Sequence, residues 1–169
     1  GKIGTGSGGF SIAIGNASGQ TQQTEYAIAI GSNAGNNLQS ESSIAIGRDA
    51  GKTSQQTGSI AIGYLSGETN QNSYSIGLGT QSAFTGQSSY SIAIGAEAGK
   101  YNQNGSSIAL GYQTAMGSGT DSSQGQSTNA VAIGREAGKN TQGADTISIG
   151  NYQDNSNHGQ KNQGTSAIS

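Results

Sequence analysis

Apolar and polar residues follow a fixed period along this chain. Each apolar segment is closed by a glycine, and these glycines are Gly15, Gly31, Gly47, Gly63, Gly79, Gly95 and Gly111, spaced 16 residues apart. The spacing lengthens once, to 23 residues before Gly134, and returns to 16 before Gly150. A fixed internal period is typical of repeat architectures, so we interpret the chain as stacked repeats with one insertion.

Large and small apolar residues alternate just before each glycine. This period of two predicts a short β-strand in every repeat. The large positions that we expect to form the structural core include Ile12, Ile14, Ile28, Ile30, Ile44, Ile46, Ile60, Ile62, Ile92 and Ile94. The small position between them, as at Ala61 and Ala93, is expected to face a close neighbour, and we favour another chain as that neighbour. The alternative is a single coil so regular that its own hydrogen bonds suffice to stabilise it.

The repeat length predicts a solenoid. Sixteen residues are too few for a helical repeat but accommodate two strands of four or five residues and two turns. We therefore expect an all-β, parallel β-solenoid (a β-roll) over residues 1–150, with nine coils spanning roughly 43 Å. The insertion is expected to leave the coil as a loop near residues 112–125, and residues 151–169 to form an irregular end that leads into a further repeat.

A glutamine column lies half a coil away from the apolar strand. Its members are Gln23, Gln39, Gln55, Gln71, Gln87, Gln103, Gln126 and Gln142. Amides stacked at strand spacing can hydrogen-bond to one another, so the column predicts a polar ladder inside the coil. The alternative is a row of solvated turn residues in a chain rich in glutamine.

Composition excludes several classes of function. Net charge is −2 and the seven Lys and Arg residues are scattered, so nucleic acid is not an expected partner. No apolar run is long enough to span a bilayer, so we expect no membrane insertion of this segment. The acidic residues and the single His158 do not converge in the sequence pattern, so we expect no catalytic residues, no metal and no cofactor, and therefore no enzyme.

The repeated sequence motif resembles that of a known family. Ser43-Ile44-Ala45-Ile46-Gly47 with Ala50, and Ser91-Ile92-Ala93-Ile94-Gly95 with Ala98, are similar to the YadA-like head repeats of trimeric autotransporter adhesins and to related phage and giant-virus fibre repeats. The resemblance implies a left-handed parallel β-roll, a homotrimer, and an extracellular, cell-surface or virion-surface location. The sixteen-residue period is longer than is usual in the adhesin heads and is closer to the fibre variants.

Two function hypotheses follow. The first is a structural and adhesive segment of a fibre, with Tyr26, Tyr74 and Tyr90 as candidate contacts to a cell-surface receptor or glycan, although these rings could instead cover the edge of a turn. The second is a subunit that self-assembles end to end into a filament. A partial threonine column raises ice binding as a remote alternative.

Overall fold

The chain forms a solenoid with a long and a short sheet on opposite sides of the coil. The computed structural model describes residues 2–4, 9–119 and 125–150. The long sheet contains β1 (Lys2–Gly4), β2 (Ile12–Gly15), β4 (Ile28–Ile30), β6 (Ile44–Ile46), β8 (Ile60–Ile62), β10 (Ile76–Leu78), β12 (Ile92–Ile94), β13 (Ile108–Leu110), β14 (Val131–Ile133) and β15 (Ile147–Ile149). The short sheet contains β3 (Thr21–Gln23), β5 (Asn37–Gln39), β7 (Thr53–Gln55), β9 (Thr69–Gln71) and β11 (Thr85–Gln87).

Strand register follows the sixteen-residue period. Ile44 pairs with Ile60 in the long sheet, and Gln55 pairs with Gln71 in the short sheet. The parallel strands from β2 to β15 enclose about eight coils, which at a spacing of ~4.8 Å extend over roughly 38 Å. The expected all-β parallel solenoid is therefore confirmed for the described residues, with strands mostly of three residues rather than four or five.

Left-handed residues at the corners explain why the strands are short. Gly47 has φ of +126°, and a Cβ at this position would lie 2.6 Å from the carbonyl oxygen of Gly63 in the next coil. Only glycine fits there, because both the backbone angle and the space exclude a side chain. Asp49, in the turn that follows, is a non-glycine residue in the left-handed region, and Ser54 has the same conformation in the middle of β7. Left-handed residues at such positions keep most strands to three residues.

The interior is lined by alanine, serine and glutamine instead of isoleucine. Ala45, Ala61 and Ala93 are fully buried, whereas Ile12 and Ile14 remain 44% and 40% exposed. The other predicted core residues, Ile28, Ile30, Ile44, Ile46, Ile60, Ile62, Ile92 and Ile94, are only half-buried. The expected isoleucine core is thus wrong for the isolated chain, because a coil this narrow admits only a methyl group on the inward side of the strand.

The same burial corrects the expected role of the alanine column. These methyl groups pack within their own coil, as shown by the 3.2 Å between the Cβ of Ala45 and the site of a Cβ on Gly51. A neighbouring chain cannot reach them. The outward isoleucine columns, and not the alanines, are the surface that another chain could contact.

An antiparallel strand covers one edge of the long sheet. β1 pairs with β2 in antiparallel register, with Lys2 opposite Gly15 and Gly4 opposite Ala13. All other strand pairs in the described residues are parallel. The first coil therefore does not present the unpaired edge of β2 at this end of the long sheet.

The insertion occupies a narrower interval than the sequence predicts. The Gly117 amide donates to the Lys139 carbonyl at 2.8 Å. This is the contact between coils that the Thr53 amide makes to the Glu68 carbonyl at the equivalent position of a regular repeat. Regular pairing has returned by Ser127, whose amide donates to the Gln142 carbonyl at 3.0 Å. The surplus residues thus lie between Gly117 and Gln126, and residues 120–124 fall outside the described part of the chain.

Candidate functional site

The glutamine column forms the predicted ladder through the coil interior. Nε2 of Gln55 donates to Oε1 of Gln71 at 3.3 Å, and Oε1 of Gln55 accepts from Nε2 of Gln39 at 3.2 Å. The same contact joins successive glutamines from Gln39 to Gln142, across the insertion as well. Gln23 begins the column, fully buried and in register with Gln39.

Each glutamine also ties the two sheets together. Nε2 of Gln55 reaches across the coil to the Ile44 carbonyl at 2.7 Å, and it lies 3.3 Å from the Ser59 carbonyl. The side chain is fully buried, so these hydrogen bonds replace those that its amide would otherwise make to water. The ladder is therefore internal and stabilises the coil, so any contact with another molecule must use the outer surface.

One face of the solenoid is apolar along its whole length. We call it the aliphatic face, and it consists of the outward residues of the long sheet from Ile12 and Ile14 to Ile147 and Ile149. Leu78, Leu110 and Ile149 on this face are 40%, 41% and 60% exposed. A continuous apolar strip on a chain with only 30% hydrophobic residues is a candidate surface for contact with another molecule.

Aromatic residues extend this strip at both ends of the strands. Phe10, Tyr26, Tyr74 and Tyr90 come two residues before the first outward position, and Tyr64 and Tyr112 two residues after the last. Of the exposed large apolar side chains in the described residues, Leu38 alone lies away from the aliphatic face and its borders. Sequence reasoning missed this segregation because it placed the isoleucines inside. The sequence does contain the information needed, because the alanine and glutamine columns alone are enough to fill the interior of a sixteen-residue coil and so leave the isoleucines outside.

We call the column of Phe10, Tyr26, Tyr74 and Tyr90 the aromatic edge. Phe10 and Tyr26 are parallel, with ring centroids 5.9 Å apart and planes 3° apart. Tyr74 and Tyr90 form a second pair, 5.5 Å and 14° apart. Ser42 and Gly58 take the two intervening positions of the column, so the structure brings the predicted contacts Tyr74 and Tyr90 together and separates Tyr26 from them.

The opposite turn carries the positive charge. Arg48, Lys52, Lys100, Arg135 and Lys139 all lie there. Most are paired: Lys52 is 3.2 Å from Asp49 and 3.5 Å from Glu68 in the next coil. Its hydrogen bond to Asp49, opposed by partial desolvation and aided by both carboxylates, raises the pKa of Lys52 above its ordinary value. The positive charges of this turn are therefore largely neutralised by neighbouring carboxylates.

Two further surface features are a cation–π contact and a column of threonines. The guanidinium carbon of Arg48 lies 4.3 Å from the Tyr64 ring centroid, a cation–π contact at the other border of the aliphatic face. On the short sheet, Thr53, Thr69 and Thr85 share one outward column with Asn37. The neighbouring glutamine turns inward, so this sheet offers a single row of hydroxyl groups rather than a flat threonine array.

No group of His, Cys, Asp and Glu residues suited to a metal ion occurs within residues 9–119 and 125–150. The described residues also contain no helix long and apolar enough to cross a membrane. His158 lies outside the residues that the structure describes. Comparison with models of protein families, with curated proteins and with solved structures found no match to this chain.

Proposed function

We propose that this chain is a rod segment of an extracellular or virion-surface fibre, in which three copies associate side by side through the aliphatic face and present their outer edges for attachment. The segment is structural and adhesive, not enzymatic. The observation that carries the proposal is the segregation of exposed apolar side chains onto one face and its borders. The left-handed coil and the number three come from the resemblance to adhesin and fibre repeats.

The physical argument for association is the length of the apolar strip. It follows every coil, and largest apolar patches on single soluble chains are usually ~300–600 Å². A thin interior of methyl groups and amides also provides little apolar burial to offset the ordering of the backbone. Burial of two aliphatic columns per chain against equivalent columns of its neighbours supplies the missing hydrophobic term. Closed cyclic symmetry then limits the assembly to a fixed number of chains.

The alternative function is a filament that grows end to end. An open solenoid end offers unpaired backbone groups to another copy. The antiparallel β1 opposes this alternative, because a further parallel coil cannot pair with β2 while β1 occupies that edge. Rods of fixed length are therefore the favoured assembly.

The test is the mass of the assembled chain and its dependence on Ile62. Ile62 is outward and half-buried in the middle of the aliphatic face, so Ile62→Glu should leave the coil folded but place charges in the contact between chains. Sedimentation should give three times 16.8 kDa for the wild type and a single chain for the variant. Thr69→Glu, on the outer side of the short sheet, is the matched control and should remain trimeric.

Two results would contradict the proposal. A wild-type chain that sediments at 16.8 kDa at micromolar concentration would show that the aliphatic face does not associate. Fibres of indefinite length in electron micrographs would favour the filament. Circular dichroism of Ile62→Glu separates loss of association from loss of fold, since a folded single chain keeps its β signal.

A further inference from the structure

We propose that the aromatic edge binds a linear glycan that is neutral or amino-substituted, with the sugar chain running along the rod axis. This inference rests on the proposed attachment function and names the class of ligand. The aromatic rings are 53–81% exposed, so they contribute little to the interior of the coil. Exposed aromatic faces are apolar platforms on which the C–H faces of sugar rings can pack.

The backbone at the aromatic edge gives a first reason. Tyr26, Tyr74 and Tyr90 have φ of +58°, +58° and +61°, a left-handed conformation that is unfavourable for bulky side chains. Equivalent corners of other coils carry Ser42, Ser106, Asn129 or Asp145 with φ of +56° to +58°. Small or short polar residues suffice for the turn, so the fold itself does not require an aromatic ring at this column.

The arrangement of the rings gives a second reason. A Cβ on Gly58 would lie 2.8 Å from Cδ1 of Tyr74, so the Tyr74 ring leans over the coil before its own. The ring pairs repeat at 5.5 Å and 5.9 Å, somewhat more than the ~4.8 Å between coils. Nearly parallel rings this close overlap in part, so each ring turns one face toward its partner and offers a sugar chain its other face and its edge. The interval is close to the length of one pyranose unit, so successive sugars of an extended chain can meet successive rings.

Charge selects the kind of glycan. Glu25 immediately precedes Tyr26, Glu41 immediately precedes Ser42, and both are exposed. The Lys and Arg side chains of residues 9–119 and 125–150 all lie on the opposite turn. An acidic glycan would be repelled at this edge, whereas a neutral sugar is tolerated and an amino sugar is attracted. The carboxylates beside Tyr26 and Ser42 also accept hydrogen bonds from sugar hydroxyl groups, and Ser73 and Ser89 precede Tyr74 and Tyr90 in their place.

The experiment uses the whole chain and four defined probes: hexamers of β-1,4-linked glucose, N-acetylglucosamine and glucosamine, and a hexamer of galacturonic acid as the acidic control. Titration calorimetry measures affinity, and tyrosine emission reports contact with the rings, since the chain has no tryptophan. We expect at least one of the first three hexamers to bind and the acidic hexamer not to bind.

Variants then locate the site. Tyr74→Ser with Tyr90→Ser should lower the affinity about tenfold or more, because it removes both rings of the pair. Tyr64→Ser with Tyr112→Ser removes the same number of exposed rings from the other border and should leave the affinity unchanged. Ser42→Tyr places a ring between the two pairs and should raise the affinity for the hexamer.

The outcomes that overturn the inference are distinct from those that overturn the trimer. Absence of binding by all neutral and amino hexamers at millimolar concentration, or equal losses in both double variants, would reject a glycan site while leaving the sedimentation mass unaffected. A lower mass for Tyr74→Ser with Tyr90→Ser would assign these rings to the contact between chains instead. Binding of a lysine-rich peptide in place of any glycan would assign the edge to a protein partner.

Discussion

Gly77 lies against Ala83 in the coil where the usual order of these two residue types is reversed. The preceding coil has Ala61 opposite Gly67, and the following coil has Ala93 opposite Gly99, each with ~3 Å between the alanine Cβ and the site of a glycine Cβ. In the coil of Gly77 the methyl group comes from the other side: the Cβ of Ala83 lies 3.1 Å from the site of a Cβ on Gly77. One methyl fills this part of the interior in each of these coils, whichever residue carries it.

The first prediction is that the two positions are coupled. Gly77→Ala adds a Cβ 2.9 Å from Oγ of Ser66 and 3.1 Å from Cβ of Ala83, and should lower the free energy of unfolding by ~1–3 kcal/mol. Adding Ala83→Gly should recover part of that loss, measured as a coupling of ~0.5–3 kcal/mol in chemical denaturation. The pair Gly105→Ala with Ala83→Gly is the control: Gly105 has only the Ser89 carbonyl near its Cβ site, at 3.5 Å, so its effect should be additive.

The second prediction concerns the glutamine ladder. Gln55→Leu removes the donor to the buried Oε1 of Gln71 and to the Ile44 carbonyl, whereas Nε2 of Gln39 keeps its bond to the Ile28 carbonyl. Each buried acceptor that loses its donor costs ~1–3 kcal/mol, so the loss of unfolding free energy should be of that size or larger. Gln56→Leu changes an exposed neighbour and should cost little. Equal effects of the two substitutions in denaturation experiments would mean that the ladder does not stabilise the coil.

The sequence predicts the period, the register and the ladder because each of these repeats identically in every coil. Gln55 and Gln71 stand sixteen residues apart, and a residue that recurs at the coil period must stack on itself. The inside and outside of the long-sheet strand could not be assigned in the same way. An alternation such as Ile44-Ala45-Ile46 has two faces, and hydrophobicity alone places the larger residues inside. The width of the coil decides otherwise, and that width depends on the amide that spans it.

The candidate functional surface is predictable from the sequence only in part. Tyr26, Tyr74 and Tyr90 were identified by their shared column, and the structure adds that two of them stack while Tyr26 pairs with Phe10. The aliphatic face was not identified, because isoleucines that were assigned to the interior could not also be assigned to a contact between chains.

The third prediction separates the interior from the contact surface. Ala93 is fully buried within its coil, so Ala93→Phe should overpack the interior and lower the free energy of unfolding by ~1–3 kcal/mol or more. Ile92→Phe, one residue away, changes an outward side chain and should leave the isolated coil folded. Thermal unfolding followed by circular dichroism tests both. If Ala93→Phe instead reduced the mass of the assembly without a change in unfolding, the alanine column would be a contact between chains after all.

The fourth prediction is a weak loss of stability at high pH. Lys52 has a raised pKa in the folded chain because Asp49 and Glu68 hold its charged form. The contribution of Lys52 to the free energy of unfolding is therefore complete below the ordinary lysine pKa of 10.5. It is lost as the pH rises through the higher pKa of the folded chain. The side chain is 39% exposed, so the contribution should stay within ~1 kcal/mol. Wild type and Lys52→Met should differ in unfolding free energy at pH 8 and converge at strongly alkaline pH.

The fifth prediction concerns the insertion. Deletion of residues Gly119 to Gly125 places Gln126 eight residues after Gly111 and restores the sixteen-residue spacing. Ser118 then takes the position that Ser54 holds in the middle of β7, where φ is +58°, so the residue type suits the position. Gly117 and Ser127 already pair with the next coil on either side of the surplus, so the deletion should leave the stacked coils intact.

We expect the deleted chain to unfold at an equal or higher denaturant concentration, since a shorter loop lowers the entropy cost of closure by about 0.6 kcal/mol per halving of its length. The control is a glycine and serine replacement of the same seven residues, which keeps the length and should match the wild type. Loops on rigid scaffolds often carry binding function, so both variants should also be tested for attachment to target cells. Unfolding of the deletion alone would mean that the inserted residues pack against the coil, a role that Gly119, beside the Tyr101 ring, begins at one end.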